Sequence, residues 1–227
     1  MKALFGGRSK ATFKPVKSHR NKKRSELSTM MKATLGTGNM LSTVATPTGE
    51  SLNEWLAVNT VDFFNEVSLL FGLVAAEASE LFSSKGQGFP AGFEYRWADG
   101  VTIKKPIRCS SPEYVDYVMS WVDGQINNEQ IFPPSEDVPF PDKFFNYIRD
   151  IFKRLFRAFA IIYSQEPLFS IFESIEAAPH LNTSFKHFMY FVLEHKLVSE
   201  TEMKAIDNIT APYIEQFAQL SSGASKQ

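Results

Sequence analysis

The sequence predicts a mainly α-helical protein built around one apolar core. Three observations predict this class: two long apolar stretches repeat at helical spacing, one short hairpin is the main strand signal, and 44% of the 227 residues are hydrophobic. A chain of this size and composition can bury one sizeable core. We therefore expect a single-domain helical bundle over residues 33–220, between a flexible basic arm (residues 1–32) and a frayed tail (residues 221–227).

The N-terminal arm carries a charge opposite to that of the rest of the chain. Residues 1–32 contain ten Lys or Arg and one Glu, a net charge of +9; the remaining residues contain 14 Lys or Arg and 24 Asp or Glu, a net charge of −10. Few apolar residues and mutually repelling charges predict that the arm is disordered in isolation. Such an arm either contacts nucleic acid or an anionic membrane, or is a solvated tail; no folded basic surface or aromatic stacking platform accompanies it here.

The cysteine content bears on the cellular compartment. The single Cys109 excludes an intrachain disulfide, and the N-terminus lacks the apolar region of a secretory signal. We expect a reducing environment, which is the cytoplasm or the nucleus.

The first long apolar stretch, residues 50–76, is predicted to be the central helix. Its apolar stripe is wider than that of a surface helix, but its charged residues are too frequent for a membrane span. The acidic residues of this stretch follow a four-residue repeat that drifts slowly around the helix axis. We name this row the acidic ridge, and its members are Glu50, Glu54, Asp62 and Glu66.

A loop and a hairpin are predicted after this helix. Residues 79–92 are rich in Gly and Ser and are expected to form a flexible loop. Residues 93–108 alternate on either side of Asp99-Gly100, a strong hairpin signal, and predict two paired β-strands. Pro106 marks the second strand as an edge strand, since proline cannot donate to a ladder.

The second long apolar stretch, residues 142–166, has one apolar side and one basic side. We name the basic side, formed by Arg149, Lys153, Arg154 and Arg157, the basic face. These cations repel one another, and only Asp150 offsets them, so a bound anion would stabilise the face. Arginine suits bidentate contact with phosphate, although a solvated basic face is the alternative.

The remaining segments add helices and show no catalytic motif. The run SSPE at residues 110–113 has the N-cap, proline and first-turn acid that begin a helix, and three C-terminal segments are also helical in pattern. The nucleotide-binding, metalloprotease, serine-hydrolase and CxxC motifs do not occur in the sequence. The histidines have no second ligand pair beside them, so we expect neither an enzyme nor a metal site.

Five sequence blocks carry a family resemblance. LNEWLAVNTVDFFNEVSLLFG, FEYRWADG, IKKPIRCS, FKRLFRAFA and HLNTSFKHF, in this order and spacing, resemble the Mob/phocein family of kinase co-activators. ATLGTGN and TFKP are similar to the class that acts with NDR/LATS and Dbf2-like Ser/Thr kinases in Hippo-type and mitotic-exit signalling. The resemblance implies a non-catalytic adaptor with a four-helix bundle.

The resemblance also implies two binding surfaces and two modification sites. The surface for the basic N-terminal regulatory region of the kinase would be the ridge with an exposed aromatic, namely Glu50, Glu54, Trp55 and Asp62. A phosphothreonine peptide from an upstream Ste20-like kinase or scaffold would bind Lys153, Arg154 and Arg157. Phosphorylation of Thr12 and Thr34 would release the basic arm from the kinase-binding surface.

One departure concerns the structural zinc that similar proteins hold. The positions matching its four ligands are Ala78, Ser83, Ile161 and Glu166. Since the Cys and His ligands are absent, we expect no zinc and no other cofactor, with apolar packing of Ile161 in place of the metal.

Overall fold

A computed structural model of the chain describes residues 21–35 and 39–224. Within these residues the chain forms nine α-helices, with a 3-10 turn at Lys204–Ile206 between the last two. The helices are α1 (Lys22–Leu35), α2 (Met40–Val44), α3 (Leu52–Leu81), α4 (Ser111–Ile126), α5 (Phe144–Ser164), α6 (Glu166–Ser174), α7 (Ala178–Glu194), α8 (Glu200–Met203) and α9 (Asp207–Ala224).

The bundle is organised around α3, as the apolar stripe predicts. α3 packs against α1, α4, α5, α6 and α7, and it runs five residues beyond the predicted end at Ala76. Phe63 of α3 meets Phe152 of α5 and Phe188 of α7 at ring-centroid distances of 5.7 and 5.4 Å. These edge-to-face aromatic contacts join three long helices in one core, so the predicted helical bundle is confirmed.

The predicted two-stranded hairpin is reduced to a single antiparallel bridge between Trp97 and Ile107, and no strand forms in the described residues. The Asp99 side chain accepts hydrogen bonds from the backbone N–H groups of Val101 and Ile103, both at 2.8 Å. These bonds close a compact turn in which the Asp99 side chain occupies the backbone N–H groups. Pro106 has no N–H group to donate to a β-ladder, so strand pairing does not extend beyond the bridge.

The segment predicted as a flexible loop over residues 79–92 is held at several points. Its first three residues belong to α3. Beyond them, Gly86 N–H donates to Cys109 O, and Ser111 N–H donates to Gln87 O, both at 2.9 Å. Phe89 is buried, and its carbonyl accepts a hydrogen bond from the side chain of Gln165. The loop is present from residue 82 onward, and the sequence did not indicate these contacts because the bonding partners lie in other parts of the chain.

Both predicted terminal boundaries differ from the structure. Residues 22–32 of the arm belong to α1, which packs on the bundle, and residues 221–224 of the tail continue α9. Residues 1–20 and 225–227 lie outside the described residues. The sequence did not predict α1, because the excess of positive charge outweighs the helical signal of two apolar residues, Leu27 and Met31, one turn apart.

No helix in the described part of the chain combines the length and the apolar character needed to cross a membrane.

Candidate binding surfaces

The acidic ridge is covered by α1. Lys23 Nζ lies 3.1 Å from Glu50 Oε2, and Arg24 Nε lies 2.5 Å from Glu54 Oε2. Further along, the Ser28 hydroxyl donates to Asp62 Oδ2 at 3.0 Å. Three acidic side chains of the ridge therefore each meet a basic or polar side chain of α1.

Apolar contacts hold the same helix. Leu27 and Met31 are 2% and 4% exposed, so both side chains belong to the core. The Arg24 guanidinium lies 5.2 Å from the ring centroid of Phe140, and Arg24 itself is 5% exposed. A buried Arg–carboxylate pair flanked by apolar anchors is a specific seat for a basic amphipathic helix.

Trp55 does not provide the exposed aromatic that the resemblance implies. It is 1% exposed, and its indole Nε1 donates to the Val44 carbonyl at 3.0 Å. The same carbonyl accepts from His195 Nε2 at 2.9 Å, so this histidine carries its proton on Nε2. Trp55 therefore links α3 to the end of α2. The helical repeat alone does not show that the end of α2 contacts Trp55.

Glu66 is separated from the rest of the ridge. Its carboxylate accepts a hydrogen bond from the Ser184 hydroxyl of α7. Burial raises the pKa of Glu66, although this hydrogen bond partly opposes the increase. The part of the ridge that meets α1 is therefore Glu50, Glu54 and Asp62.

The cations of the basic face differ in what they contact. Lys153 Nζ lies 2.9 Å from Asp150 Oδ1, and both groups are substantially exposed. The Arg154 guanidinium lies 4.3 Å from the ring centroid of Trp121 and donates to the Asp150 carbonyl at 3.0 Å. Arg149 is exposed, and no ion pair to it occurs within the described residues.

Arg157 makes the most polar contacts of the four cations. Its guanidinium donates through Nε and Nη2 to the two carboxylate oxygens of Glu202, and through Nη1 to the Tyr114 hydroxyl at 3.0 Å. It also lies 4.6 Å from the ring centroid of Tyr95. Burial lowers the pKa of Arg157, but the bonds to Glu202 and Tyr114 outweigh burial and raise the pKa, so the guanidinium stays charged.

A cavity of about 250 Å³ opens beside the basic face. Arg149 and Lys153 of α5 supply its cations, and Asn146 and Ser199 add polar groups. Arg154 and Arg157 do not line this cavity. The three predicted phosphopeptide residues therefore differ in their surroundings. Lys153 is partly exposed, Arg154 packs against an aromatic ring, and Arg157 forms an ion pair.

Sequence reasoning missed the intramolecular partners of both surfaces. Glu202 lies 45 residues from Arg157, on a four-residue helix whose Ser199 N-cap marks a helix start but does not indicate the pairing. Arg24 had a detectable signal, since it lies among Leu27 and Met31 at helical spacing. Thr12 lies outside the described residues, and so does the side chain of Thr34, whose backbone belongs to α1.

Comparison with known proteins identifies the family. The sequence profile of the Mob1/phocein family matches residues 32–206. The chain belongs to the Mob1/phocein family.

Similar Mob1/phocein proteins occur in plants and amoebae. "MOB kinase activator-like 1B" of Arabidopsis thaliana is 46% identical over 217 residues, which cover 93% of this chain and 100% of that protein. "MOB kinase activator-like 1 homolog A" of Dictyostelium discoideum is 44% identical over 207 residues, covering 91% and 95% of the two chains. Mob1/phocein proteins are adaptors rather than enzymes, and this chain is not an enzyme.

The residues at the implied zinc position of Mob1/phocein proteins do not fit the metal. Ala78 and Ile161 are fully buried in the core, and neither has an atom that can ligate zinc. Glu166 is exposed and accepts a hydrogen bond from the Ser170 hydroxyl at 3.0 Å, while Ser83 is exposed. Two oxygen-bearing side chains without Cys or His are not a structural zinc site.

Proposed function

We propose that this Mob1/phocein protein is a kinase co-activator that binds the N-terminal regulatory region of an NDR/LATS-like or Dbf2-like Ser/Thr kinase. The observation that carries the proposal is the seating of the chain's own basic helix, α1, on Glu50, Glu54 and Asp62. The names of its relatives, which are kinase activator-like proteins, support the same role.

The contacts of α1 specify what the ridge accepts. A ligand helix needs two cations on successive positions and apolar residues one and two turns further on, as Lys23, Arg24, Leu27 and Met31 provide. A basic amphipathic helix of a kinase meets these requirements and would compete with α1 for the same carboxylates. Phosphorylation of Thr12 and Thr34 adds negative charge to the basic segment, which favours its release from the ridge.

Competition is tested by weakening α1 without changing the ridge. We expect Lys23→Ala with Arg24→Ala to bind a kinase regulatory-helix peptide more tightly than the natural chain does, by about tenfold, since each lost ion pair lowers the stability of the α1-bound state. Lys22→Ala is the matched control, because Lys22 is 91% exposed and, within the described residues, its ion pair is with Glu26 of its own helix. Isothermal titration at two salt concentrations measures both the affinity and its electrostatic part.

A charge reversal tests the ridge itself. Glu50→Lys should abolish peptide binding, whereas Glu77→Lys on an exposed position of α3 should leave it intact. Unchanged binding by Glu50→Lys would exclude the ridge as the kinase surface.

A second part of the proposal concerns the basic face. We propose that Lys153, Arg154 and Arg157 dock a phosphothreonine peptide of an upstream Ste20-like kinase or scaffold. The proposal is supported by the clustering of these cations on one helix, α5, and by the open cavity that Lys153 lines. Replacing all three residues by Ala should remove the preference for a phosphorylated over an unphosphorylated peptide. Equal affinity for both peptides in the natural chain would refute this docking.

We also propose that the fold does not require zinc. Purified protein should contain less than about one-tenth of an equivalent of zinc by mass spectrometry, and EDTA should leave its unfolding temperature unchanged. A stoichiometric metal, or unfolding on chelation, would contradict the proposal. The reducing compartments expected for a chain with one cysteine, the cytoplasm and nucleus, can be checked by imaging the tagged protein.

A further inference from the structure

The cations of the basic face are not equally available to a ligand. Arg149 and Lys153 line the open cavity, whereas Arg157 already has two partners, Glu202 and Tyr114. The side chains of Arg157 and Glu202 are each 19% exposed, so solvent and ligands reach the pair from one side. A phosphate that binds Arg157 has to approach from that side.

The Nε–Nη2 edge of the Arg157 guanidinium is occupied. Three of its five N–H groups donate: those of Nε and Nη2 to Glu202, and one of Nη1 to Tyr114. The same edge suits bidentate contact with a carboxylate or a phosphate. A phosphate that binds at this edge therefore competes with the Glu202 carboxylate for the same N–H groups.

The position of Glu202 allows it to leave. It belongs to α8, a helix of only four residues, whose first turn is capped by Ser199. A rotation of the Glu202 side chain moves its carboxylate into water, because the pair is at the surface. The carboxylate has a single negative charge and two oxygens, whereas a phosphothreonine carries a charge of about −1.5 to −2 and three oxygens.

We propose that Glu202 occupies the phosphate position at Arg157 and is displaced when a phosphothreonine ligand binds. The inference rests on the proposed phosphothreonine docking and explains why the site would prefer phosphothreonine to Asp or Glu in a ligand. A carboxylate of a ligand has the same charge as Glu202, so it binds Arg157 no more strongly than Glu202 does and does not displace it. A phosphate has a larger negative charge and displaces Glu202. Glu202 thereby prevents peptides with only Asp or Glu from binding at Arg157.

The experiment compares Glu202→Gln with Glu200→Gln. Both variants remove one negative charge from α8, but Glu200 is exposed and only Glu202 contacts Arg157. The probes are peptide libraries with a central phosphothreonine, threonine or glutamate, and binding is followed by fluorescence polarisation. We expect Glu202→Gln to bind the phosphothreonine library about fivefold more tightly than the natural chain and to bind the glutamate library measurably. Glu200→Gln should behave as the natural chain.

A second measurement follows Arg157 directly. The ¹⁵N–¹H signal of its Nε group should shift when phosphothreonine peptide is added to the natural chain, because the partner of that N–H changes from Glu202 to phosphate. If Glu202→Gln does not fold, Glu202→Asp keeps the charge, is shorter by one methylene and should show the same increase in affinity.

Three results would overturn the inference. Equal or weaker phosphothreonine binding by folded Glu202 variants would show that Glu202 only positions Arg157. An unshifted Arg157 signal during binding would place the phosphate elsewhere. Failure of every variant and of the natural chain to bind the phosphothreonine library would overturn the docking proposal as well, which separates that failure from the first two.

Discussion

The acidic ridge, on α3 and at Glu50 just before it, and the basic face, on α5, are both rows of charged residues, yet the chain covers them in different ways. On the ridge, a whole helix, α1, contributes a buried ion pair and two apolar side chains, Leu27 and Met31. On the basic face, Arg157 forms an ion pair with one side chain of the described residues, that of Glu202, while Lys153 is partly exposed beside a cavity.

This difference separates two ways in which a protein keeps a binding surface occupied. Apolar burial has no charge dependence, so salt alone should not remove α1 from the ridge. The Arg157–Glu202 pair is partly exposed and depends on charge, so a doubly charged ligand can replace its acidic member. We therefore expect the ridge to respond to loss of apolar contacts and the basic face to respond to ligand charge.

The largest expected effect comes from truncating the apolar anchor of α1. Leu27→Ala should weaken the docking of α1 by about 2–5 kcal/mol, as deletion of a buried Leu side chain generally does. Hydrogen exchange of the α1 amides should accelerate, and affinity for a basic kinase peptide should rise. Met30→Ala is the control on the same helix, since Met30 is 46% exposed. Equal exchange rates in the two variants would show that apolar burial does not hold α1.

The next effect tests the core that both surfaces share. His187 is 5% exposed, lies 4.7 Å from Phe63 between ring centroids, and has no hydrogen-bond partner for Nε2 among the described residues. Burial lowers the pKa of His187 from its ordinary value of 6.5 to about 4. The folded state therefore holds neutral His187. This contributes stability above pH 6.5 that is lost as the pH falls through about 4, on the order of 3 kcal/mol in total.

His187→Phe should reduce this acid sensitivity, measured as the free energy of unfolding in urea between pH 7 and pH 4. His180→Phe is the control, since His180 lies on the same helix and is exposed. In the natural chain, low pH should reduce ligand binding at the acidic ridge and at the basic face together, because it destabilises the shared core. The substitutions at one surface should affect binding at that surface alone. An unchanged pH profile in His187→Phe would assign the acid sensitivity to other groups.

The smallest expected effect concerns the anchoring of α8. Arg157→Lys loses the planar guanidinium edge that pairs with both oxygens of Glu202, so we expect a loss of about 1–2 kcal/mol in the free energy of unfolding. Arg149→Lys should change stability by less than about 0.5 kcal/mol, because Arg149 is exposed. Similar losses in both variants would mean that the ion pair adds nothing to stability.

Much of the helical framework could be predicted because its signals are local. Apolar periodicity predicted α3 and α5, and Ser110 begins α4 as predicted, with its N–H bonded to Glu113 Oε2 at 2.8 Å. The acidic and basic rows are equally local, since residues four apart share a helix face. The hairpin was overpredicted because the sequence indicates a turn at Asp99 but not how far the ladder extends from it.

The sequence by itself determined where the helices are and which charges line up along them. Only the tertiary structure decided which of those charged side chains form ion pairs, because their partners are distant in sequence. Arg24 is 30 residues from Glu54, and Glu202 is 45 residues from Arg157. The same holds for Trp55, which is buried because α2 supplies a carbonyl for its indole N–H. Contacts of this kind depend on how the helices pack against one another. Two residues that meet through packing share no periodic pattern in the sequence, so the sequence does not reveal that they pair.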